Sequence, residues 1–125
     1  MKINIKATNI DLTPAISAYV EKKISAVSKY IGEHVDAVAQ VEVGRSTQHH
    51  KSGDIFRAEV HIVGAGLDLY AVSEQGDLYS AIDMVKEDIT QNALQEKGKK
   101  ETITRKGARI IKDMMRGINI FKKKS

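Results

Sequence analysis

The 125-residue chain contains no cysteine. That excludes a disulfide scaffold, a thiolate zinc site and a cysteine nucleophile together. Nowhere do enough apolar residues follow one another to span a bilayer. The opening MKINIKATNI alternates polar and apolar residues and lacks the continuous apolar run of a secretory signal. A cytoplasmic protein is expected. Aromatic residues make up 5% of the chain, and none is interleaved with its basic cluster, which argues against a binder that stacks single-stranded bases. The chain has no internal repeat and no serine–histidine–acid arrangement with a local signature, so neither an enzyme nor a cofactor is expected.

Hydrophobic content of 42% with 29% charged residues is ordinary for a folded domain, and 125 residues suffice for one core but not two. The net charge of +4 hides a polarity. Residues 97–125 hold eleven Lys/Arg against Glu101 and Asp113, a balance of +9, whereas residues 1–96 sum to −5. An acidic body with a basic tail commonly seeks nucleic acid or an anionic membrane.

Residues 2–8 alternate with Ile3, Ile5 and Ala7 inward, as a strand does. Thr13 then serves as N-cap and Pro14 as first residue of a helix to about Tyr30, with Ile16, Val20, Ile24, Val27 and Ile31 as its buried stripe and Gly32 as its C-terminal cap. Strands follow over residues 36–44 (Ala37, Ala39, Val41 and Val43 inward) and 54–63 (Phe56, Ala58, Val60 and Ile62 inward), joined by a polar loop from Arg45 to Gly53. Gly64-Ala65-Gly66 makes a hairpin into a fourth strand with Leu67, Leu69 and Ala71 on one side. Ser73-Glu74-Gln75-Gly76-Asp77 breaks the period of two. From Leu78 the spacing Leu78, Ile82, Val85, Ile89 predicts a long amphipathic helix whose outer face carries Asp83, Lys86, Glu87 and Gln91.

The order β-α-β-β-β-α predicts an α/β (α+β) two-layer sandwich. A right-handed crossover makes the first strand pair parallel, and short connections make the later neighbours antiparallel. Each strand has one apolar face, so both helices pack on one side of a four-stranded mixed sheet. The second helix is expected to end or weaken at Lys97-Gly98-Lys99-Lys100, because Gly costs about 1 kcal/mol in a helix interior. This divides the chain into a domain over residues 1–97 and a basic tail over 98–125. In the tail, Ile111, Met114, Met115 and Ile118 fit a short amphipathic helix.

Some clusters read as unremarkable. Adjacent His49 and His50 project in different directions, and spacing places no ligand set with His61, while Gly64-Ala65-Gly66 lacks the lysine-serine/threonine ending of a phosphate loop. Asp83, Glu87 and Asp88, with Lys86 among them, read as a solvated helix face. The remaining signal is basic: Lys22, Lys23 and Lys29 on the first helix, Lys86 on the second, and the tail. Long cations on an accessible surface bind phosphates by charge and shape without reading sequence, which suits structured RNA.

Two stretches resemble the family of ribosome hibernation factors, also named ribosomal subunit interface or sigma-54 modulation proteins. MKINIKATNIDLTPAISAYVEKKI is similar to the family's first strand and threonine-proline helix start. SEQGDLYSAIDMVKEDI carries its acid–x–x–Asp–x–Tyr–x–Ala–Ile–Asp motif as Glu74, Asp77, Tyr79, Ala81, Ile82 and Asp83. The resemblance covers roughly residues 1–97. It implies a protein without enzymatic activity that binds small-subunit ribosomal RNA at the interface side, blocks messenger and transfer RNA sites, and keeps ribosomes idle under stress. It also implies RNA contacts at Lys22, Lys23, Lys29 and Lys86, then at Lys97, Lys99 and Lys100, with Arg105 and Lys106 continuing the basic run. Tyr79 reads as motif and packing. The second helix holds Asp83, Glu87, Asp88 and Glu96 with only Lys86 before Lys97, so affinity is expected to lean on the tail. The short form, without the long form's dimerisation domain, is expected. The alternative function is a protein–protein regulator or a self-associating module using the apolar stripe of the tail.

Overall fold

The computed structural model describes residues 1–32, 36–46 and 54–115, with side chains as far as residue 98. Its elements are β1 (Lys2–Thr8), α1 (Pro14–Ser25), α2 (Ser28–Ile31), β2 (Val38–Ser46), β3 (Ile55–Gly64), β4 (Leu67–Gln75) and α3 (Leu78–Met115). The sheet order is β1-β2-β3-β4, with β1 parallel to β2 and the other pairs antiparallel. This is the expected two-layer α+β sandwich. The chain divides into a compact unit from Met1 to Leu94 and a second beginning at Gln95.

Register places apolar residues in rows across one face. Ile3, Ala39, Ile62 and Leu69 form one row, Ile5, Val41, Val60 and Ala71 the next, and Ala7, Val43, Ala58 and Ser73 the third. Val20, Ile24 and Val27 from α1 and the turn after it pack on these rows, as do Leu78, Ala81, Ile82, Val85, Ile89 and Ala93 from α3. A fully buried branched aliphatic side chain contributes about 1.5–3 kcal/mol, so this single face carries most of the stability.

Local chemistry sets the element ends. Thr13 Oγ1 accepts from the Ile16 amide at 3.2 Å, with Pro14 opening the helix as expected. Gly32 takes φ 103, the positive value that favours glycine at a helix end. At the β3–β4 hairpin both turn residues, Ala65 and Gly66, have positive φ (50 and 82), as a two-residue turn of type I′ requires. Gly64, at φ 137, passes so close to the chain that a Cβ there would lie 2.5 Å from the Asp36 carbonyl oxygen.

Three expectations are corrected. The first helix does not run unbroken to Tyr30 but tightens after Ser25, where the Val27 amide bonds back three residues to the Ile24 carbonyl. The Ser25 and Ser28 hydroxyls donate to the Lys22 and Ser25 carbonyls, competing with the helix ladder. The alternation of β4 is not broken at Ser73. Strand pairing continues to Gln75, and Ser73 lies buried on the core face, its hydroxyl accepting from Gln75 Nε2 at 3.2 Å. Finally, the helix of α3 does not end at Gly98 but continues to Met115. A single glycine costs about 1 kcal/mol, and the flanking Gln95, Glu96, Lys97, Lys99, Lys100 and Glu101 are mostly good helix formers that outweigh it. The loop bearing His49 and His50 lies outside the described residues, as does Ile118.

Candidate nucleic-acid interface

The helices cover one face of the sheet, so their outward sides form one surface of the domain and the bare sheet face forms the other. The motif shared by β4 and α3 builds the helix side. Asp77 begins α3: Oδ1 accepts from the Tyr79 amide at 3.0 Å, and Oδ2 accepts from the Ser80 amide at 3.3 Å and from the Ser80 hydroxyl. The Ser80 hydroxyl, followed by the two amides, holds the Asp77 carboxyl below its ordinary range. A negative side chain is well placed at the positive end of a helix.

Two turns of helix then meet. Tyr19 and Lys23 are four apart on α1, and Tyr79 and Asp83 are four apart on α3, so each pair shares a face. The Tyr19 hydroxyl donates to Asp83 Oδ1 at 2.6 Å, and Lys23 Nζ lies 3.4 Å from the same oxygen. The Tyr19 and Tyr79 rings meet edge to face, with centroids 4.8 Å apart at 84°, and Lys23 Nζ sits 5.4 Å from the Tyr19 ring centroid. Residue 19 meets 79 and residue 23 meets 83, so the helices run side by side in the same direction here. Hydrogen bonding to Asp83 raises the Tyr19 pKa, and the same carboxylate raises that of Lys23.

The basic residues separate by environment. Lys22, Lys29 and Lys97 are exposed. Lys29 Nζ reaches to 5.6 Å from the Tyr30 ring centroid. Lys86, one turn beyond Asp83, is half-buried and lies 3.5 Å from Glu87. Lys23, by contrast, is engaged with Asp83. Lys99, Lys100, Arg105 and Lys106 belong to α3, as do Ile111, Met114 and Met115, and their side chains lie outside the described residues. The motif's acidic end reads differently in structure than in sequence. Asp83 is not a freely solvated carboxylate but a bond between the two helices, and a partner 64 positions away leaves no local signal.

The bare sheet face carries its own pairs. Thr8 Oγ1 donates to Glu42 at 2.6 Å, Arg57 lies 3.3 Å from Glu59, the Tyr70 hydroxyl donates to Glu59, and His61 Nε2 lies 2.6 Å from Asp68 Oδ1. Among the described residues no three His, Cys, Asp or Glu side chains gather to hold a metal, and no helix is long and apolar enough to cross a membrane.

A family model described as "Sigma 54 modulation protein / S30EA ribosomal protein" matches residues 3–101. The chain is 30% identical over 99 residues to a ribosome hibernation promoting factor of Azotobacter vinelandii, covering 79% of this chain and 85% of that protein. It is 33% identical over 87 residues to a ribosome hibernation promotion factor of Lactococcus lactis, covering 70% of this chain but 44% of that protein. For the corresponding Bacillus subtilis factor the figures are 31% over 99 residues, 79% and 50%, so the chain spans about half the length of these two relatives. Among solved structures, the N-terminal domain of Thermus thermophilus Protein Y superposes with a TM-score of 0.65 at 26% identity, covering 76% of this chain and 98% of that one. A ribosomal subunit interface protein of Coxiella burnetii, at 16% identity and a TM-score of 0.64 over 78% of this chain and 99% of that one, shares the fold. With nearly all of β1 and the whole of the capped helix and the Asp77–Tyr79–Asp83 motif within the matched span, the chain belongs to the sigma 54 modulation protein / S30EA ribosomal protein family.

Proposed function

We propose that this protein is a ribosome hibernation factor of the cytoplasm that acts by occupancy and not by catalysis. Residues 1–97 serve as the ribosome-binding domain and residues 98–125 as its basic tail. The helix layer lies against small-subunit ribosomal RNA at the interface side, where it blocks messenger and transfer RNA. Lys22 and Lys29 on α1 and α2, Lys86 and Lys97 on α3, and Lys99, Lys100, Arg105 and Lys106 further along α3 supply the phosphate contacts. The observation that carries this reading is the joining of family membership to exposed Lys22 and Lys29 and half-buried Lys86 in the helix layer.

The chemistry fits a phosphate surface. Lysine ammonium groups on long stems meet phosphates without fixed hydrogen-bond geometry, so affinity comes largely from released counterions. An acidic body beside a cationic run also favours one orientation of approach to a polyanion. Cosedimentation of the full chain with purified small subunits over a salt series tests the proposal. The logarithm of the binding constant falls linearly with the logarithm of salt if phosphate contacts dominate. Binding independent of salt, or no binding at low salt, contradicts it.

A further inference from the structure

We propose that Tyr19, Lys23, Tyr79 and Asp83 form a latch that sets the spacing of α1 and α3, with Asp83 as a positioning residue and Lys23 working within the latch instead of on RNA. Its consequence for binding rests on the RNA-binding reading above; the latch itself does not.

The sheet fixes what lies beneath the helices, and among the described residues the helices' outward edges meet at one polar cluster. At this seam one carboxylate oxygen takes both the Tyr19 hydroxyl at 2.6 Å and the Lys23 ammonium at 3.4 Å, while the Tyr79 ring braces Tyr19 at 4.8 Å. The geometry is directional: a hydroxyl donor, a charge pair and an edge-to-face ring contact join two residues of each helix. The Asp83 and Lys23 side chains are 46% and 32% exposed. Ion pairs so exposed add little to global stability, which leaves helix register as the property this contact most affects. Asp83 also sits one turn from Lys86 on the surface assigned to phosphate. A bare carboxylate there would repel a polyanion, and Lys23 neutralises it. Lys22 and Lys29 are exposed and lie outside this pairing, and the latch fixes their distance from Lys86.

The sign of one substitution separates the possibilities. If Asp83 merely stood near RNA, Asp83→Ala would remove repulsion and tighten binding. The latch predicts that Asp83→Ala weakens small-subunit binding about fivefold to tenfold, with the salt slope unchanged. Tyr19→Phe, which removes one hydroxyl and no charge and keeps the ring contact, weakens it in the same way and covers the case in which Asp83→Ala fails to fold. Lys23→Met leaves the salt slope unchanged, whereas Lys22→Met lowers it by about one. The chain has no cysteine, so Ala18→Cys and Met84→Cys accept spin labels at exposed sites on α1 and α3. The interlabel distance distribution is narrow in the parent and broad with Asp83→Ala or Tyr19→Phe.

Equal or tighter binding by both variants overturns the latch's role in binding, and a slope lowered by one in Lys23→Met overturns the assignment of Lys23. An unchanged distance distribution in a folded variant overturns the latch altogether. Should the parent bind no subunits while the distances broaden, the RNA reading falls and the latch stands.

Discussion

The two faces of the sheet are built on opposite principles. Ile62 and His61 are neighbours on β3, yet Ile62 is wholly buried among Leu69 and the helices, while His61 faces outward against Asp68 and Tyr70. One face excludes water with branched aliphatics from every strand. The other satisfies polar side chains in pairs, most of them across strands. The covered face sets the fold, and the helices that cover it present the cations, so stability and the proposed binding surface meet in one layer.

The contrast is sharpest at adjacent positions of β3. Ile62→Ala leaves a cavity and lowers unfolding free energy by about 2–5 kcal/mol, whereas Val63→Ala, at a half-exposed site on the bare face, changes it by less than about 0.5 kcal/mol. Urea denaturation measures both, and equal losses would erase the distinction. Glycines give the next largest contrast. Gly64→Ala forces a Cβ against the Asp36 carbonyl at a positive φ and destabilises by about 1–3 kcal/mol. Gly98→Ala, with nothing within 4 Å of the new carbon, increases the helicity of α3 and stabilises that helix by about 1 kcal/mol, read by circular dichroism.

Within the covered layer, Thr90 is buried, and its hydroxyl has no hydrogen-bond partner among the described residues. Thr90→Val keeps the branched shape and removes that unpaired group. It is expected to raise the thermal midpoint by a few degrees, corresponding to about 1 kcal/mol. A lower midpoint would show that the hydroxyl is satisfied.

The smallest expected effect lies on the bare face. The Tyr70 hydroxyl, helped by Arg57, holds the Glu59 carboxyl below its ordinary value. A folded pKa below the unfolded one gives stability that is full above the unfolded value, about 4.3, and is lost as the pH falls through the lower folded value. Tyr70→Phe therefore flattens the acid side of the stability–pH curve by removing the leading cause of the shift. An unchanged curve would mean that Tyr70 does not hold Glu59.

What was legible in sequence followed from periodicity. The stripes through Val20, Ile24 and Val27, and through Leu78, Ile82, Val85 and Ile89, are buried as their spacing requires, and the Thr13-Pro14 start is a local signature read without tertiary knowledge. What escaped was tertiary or compensated. Ser73 is polar yet faces the core, so its residue type hid the continued alternation. Gly98 suggested an end to α3 that its helix-forming neighbours prevent. Serine hydroxyls tighten the chain after Ser25, an effect that apolar spacing does not report. Asp83 looked like part of a charged helix face because Tyr19 and Lys23 are remote in sequence. For the candidate interface, lysine positions were readable, but the difference between engaged Lys23 and exposed Lys22 required the packing of α1 against α3.

If the helix layer, not the bare sheet face, meets ribosomal RNA as proposed, cations on the two faces differ in their effect on binding. Small-subunit affinity across a salt series, measured for two full-length variants of equal charge change, tests it most directly. One carries Lys22→Met with Lys29→Met on the helix side, and the other carries Lys2→Met with Lys6→Met on the exposed positions of β1. The helix-side variant is expected to lose affinity with its salt slope falling by about two, while the β1 variant keeps the parent slope. Equal losses, or a larger loss from the β1 variant, would contradict it.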